Sequence, residues 1–389
     1  MLSSGMVLSA ARVLIPPLLS CLLAAGCALL ADSAAAQSSR RPLPIGDLLL
    51  VGFRGTEVQG SEEIRALVCD LKVGGLILFE RDVASRAPRN IVSAEQVARL
   101  TADLQALARK CAGRPLLIAA DAEGGAVMRL STRAGYLPTP SHQELGETGD
   151  LAFTELEARR LGGRLREAGI NWNLAPVVDV AVNPANPAVV ALGRTFGSDP
   201  EQVIAHAGAF VAGMRAAGVL TALKHFPGHG SSRVDSHHGF TDVSETADLD
   251  AELAPYRALI RDGLADSVMP AHVFNRNIDP WYPASLSRYT VNRLLRSTLG
   301  FKGVVVSDDL LMGAITQRYG VDEAAVLALG AGVDVLLISQ NTASPRTEPR
   351  AAERAVAAVR RALADGRLSR KAIRAALDRV EIFRARATR

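Results

Sequence analysis

Between Ile45 and Asn341 the sequence repeats one theme: a short apolar run ending in polar or glycine-rich residues, then a longer stretch with apolar residues at helical spacing. The apolar runs are residues 48–52, 75–79, 116–120, 170–175, 220–223, 267–271, 303–307 and 334–338. Helical stretches fall between or after them at 61–71, 94–111, 150–167, 200–217, 248–262, 290–299, 321–330 and 351–364. Several open on a residue suited to capping, such as Ser61 ahead of Glu62 and Glu63, and Asp199 ahead of Pro200 and Glu201. Strands this apolar, alternating with helices, predict a parallel sheet covered on its outer face. Pattern does not show closure, so an open doubly wound sheet stays an alternative, but eight units favour a (β/α)8 barrel of the TIM type. No linker interrupts the body and no glycine-rich dinucleotide fingerprint follows the first run. The expectation is an α/β fold with one domain over residues 42–389.

Composition excludes some functions. With 48% hydrophobic and 22% charged residues the chain can bury a large core and is not a disordered protein. Its net charge of +4, from 44 basic against 40 acidic residues, is too small and too scattered for nucleic acid to be an expected partner. Only five of the basic residues are Lys. Arginines at helical spacing between Glu353 and Arg389, among them Arg360, Arg361, Arg367, Arg370 and Arg374, read as a solvated face.

At the start of the chain, Arg12 precedes an apolar run over residues 13–31, and Ala34-Ala35-Ala36 stand before Gln37. This is the layout of a secretory signal peptide over residues 1–36. An uncleaved anchor is disfavoured by Pro16-Pro17 and by the small-residue site. A second reading is a lipoprotein box, Ala25-Gly26-Cys27, leaving a lipid anchor at Cys27. Either route predicts export to the periplasm or beyond in a bacterium, with no stable membrane span after cleavage. Cys69 and Cys111 then remain, as one disulfide or as two buried thiols in helical segments.

Barrel enzymes place their chemistry just after the strands, and those positions are charged here. Strand three runs into Asp121-Ala122-Glu123-Gly124-Gly125, and strand four continues to Asp179. Strand five runs into Lys224-His225-Phe226-Pro227-Gly228-His229-Gly230, followed by Asp235-Ser236-His237-His238. Strand six leads to His272 and strand seven to Asp308-Asp309. A metal site could draw on His225, His229, His237 or His272 with Asp308, but Val51-Gly52-Phe53 stands where barrel metallohydrolases carry two histidines, so no metal or cofactor is expected. Phosphate binding lacks a glycine cradle after the last two strands. Retaining glycoside cleavage needs a carboxylate nucleophile and a proton donor that later acts as base. Asp308 suits the first role. His237, held by Asp235 two residues away, suits the second.

The Lys224-His225-Phe226-Pro227-Gly228-His229-Gly230 run with Asp235-Ser236-His237, then Tyr282-Pro283-Ala284-Ser285-Leu286-Ser287, then Val306-Ser307-Asp308-Asp309-Leu310 and Met312, resembles the β-N-acetylglucosaminidase branch of glycoside hydrolase family 3. The resemblance extends from about Leu48 to Asn341. It implies a retaining exo-acting barrel enzyme on a small carbohydrate, with Asp308 as nucleophile and His237 as acid/base partnered by Asp235. It carries sugar contacts to Asp121, Arg129, Arg194, Lys224 and His225. The fit departs at Ala122, Ala126 and Gly193, which puts the outer sugar contacts and the aglycone preference in doubt. The chain ends one helix after the eighth run, so no second domain is expected to bring a carboxylate acid, and the loop histidine is the available donor. Peptidoglycan fragments and chitooligosaccharides are the expected substrates of a monomeric enzyme. Alternatives are phosphorolysis, another β-glycosidase specificity, or a non-catalytic cell-wall or sugar-binding barrel.

Overall fold

Each of the eight apolar runs coincides with a strand of the computed structural model, the fifth strand running three residues beyond its run, and each strand is buried along its whole length. They are β1 (Leu49–Gly52), β2 (Gly75–Ile77), β3 (Leu117–Ala120), β4 (Trp172–Asn173), β5 (Leu220–Phe226), β6 (Ser267–Pro270), β7 (Val304–Val305) and β8 (Leu336–Ile338). The structure describes residues 42–342 and 350–389, with Met1 and Leu2. Apart from Met1 and Leu2, the expected leader over residues 1–36, with the alternative anchor at Cys27, lies outside the described residues. The chain divides into two units, Met1–Leu43 and Pro44–Arg389, and the barrel is the second.

Neighbouring strands pair in the order β7-β6-β5-β4-β3-β2-β1-β8, every pair parallel. The two ends of this sheet meet at a parallel bridge, Val306 to Val335, where Ser307 N–H donates to Val335 O at 2.8 Å and Val335 N–H to Val305 O at 3.0 Å. The sheet is therefore the closed (β/α)8 barrel that the sequence favoured. Asn171 and Asn173 extend the pairing of the short β4: their side chains accept from Ile118 N–H at 2.8 Å and Ala122 N–H at 3.0 Å, standing in for a backbone ladder.

A helix follows each strand: α1 (Glu62–Arg65, continued by a π-type turn over Ala66–Asp70), α2 (Ala94–Ala112), α3 (Leu151–Glu167), α4 (Pro200–Ala216), α5 (Leu249–Arg261), α6 (a π-type helix, Tyr289–Thr298), α7 (Val321–Ala331) and α8 (Ala351–Ala364). Ser61, Ser93, Asp150, Asp199 and Asp248 cap α1 to α5, each accepting a backbone N–H of the first turn within 3.2 Å. Such caps contribute about 1 kcal/mol apiece. Among the described residues no helix is long and apolar enough to cross a membrane. Cys69 and Cys111 form a disulfide across 42 residues, joining the π-type turn after α1 to the end of α2. By the chain-entropy argument a loop of that length is worth about 4 kcal/mol.

Two helices, not one, follow β8. The second, α9 (Arg370–Ala387), lies across the end of the barrel where the strands begin. Phe383 meets the edge of Trp172 at 4.9 Å between ring centroids. Three carboxylates just before strands receive its arginines: Asp334 takes Arg379 at 2.7 Å, Asp266 takes Arg386 at 2.5 Å, and Asp47 pairs with the fully buried Arg384. Arg296, Arg215 and Arg114 approach the same three carboxylates from the body of the barrel, at 2.6, 2.8 and 2.7 Å. The solvated-face reading thus holds for Arg360, Arg361, Arg367, Arg370 and Arg374, which are exposed, and fails for Arg384, whose position on the inward face of α9 turns a surface charge into a buried one. Removing one partner of a buried pair leaves an uncompensated charge, so Arg384→Ala is expected to lower stability by about 3 to 5 kcal/mol. Denaturant midpoints at unchanged slope measure this, and turnover at low temperature should be nearly unaffected, because α9 sits at the opposite end from the strand C-termini.

Candidate active site

The strand C-termini carry a buried ion cluster. Beyond β3 the chain turns at Gly124 (φ 96°) and Gly125 (φ 55°), a left-handed pair that glycine adopts without strain. The turn joins a two-stranded antiparallel ribbon, Ala122–Gly124 against Val127–Met128, and returns Arg129 to Asp121: Arg129 N–H donates to Asp121 O at 3.1 Å and its guanidinium lies 3.4 Å from the Asp121 carboxylate. Arg129 also stands over the Phe79 ring, 5.6 Å from its centroid, and its Nε is buried with no hydrogen-bond partner among the described residues.

Glu123 is the centre of this cluster. Arg194 grips it with two hydrogen bonds, Nε at 2.8 Å and Nη2 at 2.9 Å, while Lys224 Nζ approaches it at 2.7 Å and Asp121 at 2.9 Å. Burial by itself raises a carboxyl pKa, but the cations win: Lys224 and Arg129 hold Asp121 below its usual value, and Arg194 and Lys224 hold Glu123 well below. Against the same desolvation, Asp121 and Glu123 raise the pKa of Lys224. Both carboxylates are therefore ionised and both cations charged at neutral pH.

His225, next to Lys224 on β5, is held by Asp179. The Asp179 carboxylate accepts from His225 N–H at 3.1 Å, from His229 N–H at 2.9 Å and from His225 Nδ1 at 2.7 Å. A carboxylate at this depth only accepts, so the proton sits on Nδ1 and Nε2 faces the Arg194 guanidinium at 3.4 Å. The peptide bond between Lys224 and His225 is cis, as are those before Pro176 and Pro227.

Asp308 leaves β7 half-buried, and one of its oxygens accepts from Asp309 N–H at 2.8 Å. Burial pushes its carboxyl pKa up, but the nearby His272, His225 and His237 rings outweigh that, and the group sits below its ordinary value. His272 is braced below: Nδ1 meets the Ser285 hydroxyl at 2.6 Å and Nε2 donates to Asp309 O at 2.9 Å. The Tyr282 to Ser287 motif is thus a support for His272. Asp309 itself is buried, its pKa pushed up to about 6 by desolvation despite hydrogen bonds from Ser339 and Leu311.

Asp235 and His237 stand on the loop after β5, with His237 Nδ1 2.7 Å from Asp235 Oδ1 and His237 N–H 2.9 Å from the same oxygen. That hydrogen bond raises the His237 pKa, and the Asp308 charge adds to it against burial; the bond also lowers Asp235. The His237 side chain is 58% exposed, so its Nε2 edge is open to an incoming molecule. The loop is tied to the segment after Asp308: Gly313 N–H donates to His237 O at 3.3 Å, Ala314 N–H to Ser236 O at 3.2 Å, and Gln317 Nε2 to His238 O at 3.1 Å.

All eight predicted residues therefore stand at the strand C-termini. Asp121, Arg129, Arg194, Lys224 and His225 belong to one hydrogen-bonded cluster, and Asp308 lies within electrostatic reach of His225 and His237. His229 and His272 each engage both ring nitrogens internally, and among the described residues no three His, Cys, Asp or Glu side chains are placed to hold a metal ion. Two central residues, Glu123 and Asp179, stood among the charged positions after the strands but were given no role from the sequence. Alternation along an extended segment puts Glu123 on the same side as Asp121, a signal present in the sequence. Nothing comparable marks Asp179, whose partners lie more than 40 residues away. A groove of about 630 Å³ beside α6 and α7, lined in part by Trp281, Tyr282 and Tyr289, contains none of the eight.

Residues 43–382 match the family description "Glycosyl hydrolase family 3 N terminal domain". The chain belongs to glycosyl hydrolase family 3. A β-hexosaminidase of Tolumonas auensis is 37% identical to this family 3 chain over 299 residues, which is 76% of this chain and 83% of the relative. Another from Xylella fastidiosa is 39% identical over 301 residues, 75% of this chain and 83% of that one. Among solved structures, the β-N-acetylhexosaminidase of Beutenbergia cavernae superposes with a TM-score of 0.77 at 34% identity, covering 88% of this chain and 97% of that one. The family 3 β-N-acetylglucosaminidase of a Paenibacillus species gives a TM-score of 0.80 at 39% identity; the match covers 88% of this chain and 62% of that longer protein.

For this glycoside hydrolase the buried cluster makes a direct prediction. Glu123→Gln keeps the shape but removes the charge that both Arg194 and Lys224 face. A displacement of about 1 Å in a binding group costs on the order of 100-fold in rate, and a loss of that size in kcat/KM is expected on an aryl β-hexosaminide. Steady-state kinetics alongside a thermal melt separate this from unfolding.

Proposed function

We propose that this glycoside hydrolase is a retaining exo-β-N-acetylglucosaminidase that removes terminal β-linked N-acetylglucosamine by hydrolysis. The observation that carries the reading is an ionised Asp308 within electrostatic reach of a His237 that Asp235 orients and keeps basic. In the first step Asp308 attacks the anomeric carbon while the glycosidic C–O bond breaks and His237 Nε2 delivers its proton to the departing oxygen. In the second, the now neutral His237 takes a proton from water, the hydroxide oxygen bonds to the anomeric carbon, and the Asp308 ester is released. Asp235 stabilises the imidazolium that both steps require. A histidine donor brings no second negative charge toward Asp308, which keeps the nucleophile ionised. Asp121, Arg129, Arg194, Lys224 and His225 form the floor that receives the sugar hydroxyls. The unpartnered Arg129 Nε and the Asp121 carboxylate, whose side chain is 17% exposed, are the groups with capacity to spare.

The relatives' names support the N-acetylhexosamine preference. The leader over residues 1–36 supports an exported enzyme acting in the periplasm or outside the cell, on peptidoglycan fragments or chitooligosaccharides; the Cys27 box would tether it instead. Asp308→Ala is expected to lose more than about 1,000-fold in chromophore release from an aryl N-acetyl-β-glucosaminide. Full activity in that variant would sink the assignment. Comparing turnover of a disaccharide muropeptide with that of chitobiose identifies the substrate class, and added phosphate should leave free N-acetylglucosamine as the product.

The pH dependence has a definite sign. His237 must be protonated in the first step, so kcat/KM falls as pH rises through its raised pKa, above the ordinary value of about 6.5. Asp308 must be ionised, so kcat/KM falls as pH drops through its lowered pKa, below the ordinary value of about 3.8. The alkaline limb should vanish in His237→Ala.

A further inference from the structure

His229 takes no part in the chemistry above, yet it is buried and fully hydrogen-bonded beneath the loop that carries Asp235 and His237. Its Nδ1 lies 2.9 Å from the Ser232 hydroxyl and its Nε2 lies 2.9 Å from the Ser236 hydroxyl. Ser236 is the residue between the members of the dyad. Ser232 and Ser236 are both buried, whereas Arg233, Val234, His237 and His238 are exposed, so the ring joins the two ends of an arch whose crown faces solvent.

The direction of each bond follows from an inventory of donors. Asn186 Oδ1 accepts from Ala188 N–H at 2.9 Å and Val189 N–H at 2.7 Å, which makes its other terminus the NH2. That NH2 donates to His229 O at 2.7 Å and to the Ser232 hydroxyl oxygen at 2.9 Å. The Ser232 proton is then free to point at His229 Nδ1, which accepts it, leaving the ring proton on Nε2 to donate to Ser236. Desolvation, with the neighbouring His225 adding to it, lowers the His229 pKa to about 4, so the ring stays neutral and keeps one donor and one acceptor. The base of the arch is fixed independently: Glu252 on α5 accepts from Ser231 N–H at 3.1 Å and from its hydroxyl at 3.2 Å. Gly230 lies so close to Val180 O that a side chain there would stand 1.7 Å from it.

We propose that His229 is a positioning residue for the acid/base: held as the Nε2–H tautomer by Asn186 and Ser232, it clamps Ser236 and so fixes the Asp235–His237 pair over Asp308. The inference rests on the roles proposed above for His237 and Asp308. Loss of the clamp leaves the nucleophile and the sugar floor in place and loosens only proton delivery. The defect therefore depends on how much the leaving group needs a proton.

The test compares kcat/KM on chitobiose, whose alcohol leaving group needs protonation, with kcat/KM on a 2,4-dinitrophenyl N-acetyl-β-glucosaminide, whose leaving group does not. Ser236→Ala is expected to lose about 10- to 100-fold on the disaccharide and less than about 3-fold on the aryl substrate, a fraction of the 100- to 10,000-fold that general acid catalysis contributes. Ser232→Ala, which frees the tautomer from the far side of the ring, should show the same selectivity with a smaller loss and covers the case in which Ser236→Ala does not fold. Equal losses on both substrates, or no loss on either, would overturn the clamp. His237→Ala is the reference: if it lacks the selectivity, the acid assignment itself fails, whereas selectivity in His237→Ala without it in the serine variants removes the clamp alone.

Discussion

Two anions and two cations, Asp121, Glu123, Arg194 and Lys224, come from three segments of the barrel and meet where almost no water reaches them. Desolvating any one alone would cost several kcal/mol, so each is stable in place only because the others are there. That mutual dependence fixes the relative heights of β5 and of the segments after β3 and β4. Arg194 then reaches His225, and Asp179 holds His225 and the backbone at His229, so the order passes from the ion cluster into the loop carrying Asp235 and His237. The catalytic arrangement proposed for Asp308, Asp235 and His237 thus rests on charge pairing in a low-dielectric floor.

How far the sequence could be read depended on how local each signal was. Strand burial is local, so runs such as 220–223 and 334–338 were legible to within a few residues, and so were the caps at Ser61 and Asp199. Barrel closure was not legible, because it consists of one bridge between Val306 and Val335. Asp121, Lys224, His225 and Asp308 stood out because they directly follow apolar runs, and Arg129, Arg194, Asp235 and His237 because they match a family pattern. Asp179 was visible as a charged residue after the fourth run, but not its role: it sits six residues past β4 in an irregular segment, and its importance comes from its distant partners in and after β5. Arg384 was misread for a related reason. Helical spacing says which residues share a face, but the face was assigned to solvent before anything showed that the barrel end lay against it.

The same chemistry, arginine against carboxylate, appears at both ends of the barrel with different completeness. At the end covered by α9, Asp47, Asp266 and Asp334 each face at least two guanidinium groups, and Asp266 also accepts from Thr221 N–H at 3.2 Å and its hydroxyl at 3.0 Å. These carboxylates have little capacity left, as a stabilising contact requires, although Arg384 Nε beside them is, like Arg129 Nε at the other end, buried without a hydrogen-bond partner among the described residues. At the other end the accounts are left open. Among the described residues Asp308 accepts only from the neighbouring Asp309 N–H, Arg129 Nε has no partner, and the outer edge of the His237 ring faces solvent.

Unfilled hydrogen-bonding capacity in an otherwise satisfied, largely buried surface is costly to maintain, and it persists where a ligand completes it. The open valences at the strand C-termini are of three kinds: an anion aimed outward, a guanidinium donor and an imidazole edge. A pyranose presents the complement of each, an electrophilic anomeric carbon, hydroxyl oxygens and an acetal oxygen that becomes basic as its bond breaks. The rigidity of the floor and the exposure of the dyad then divide the labour. In the proposed mechanism the buried ions hold the sugar ring in one place, while the exposed His237 is open to the water whose proton it takes in the second step.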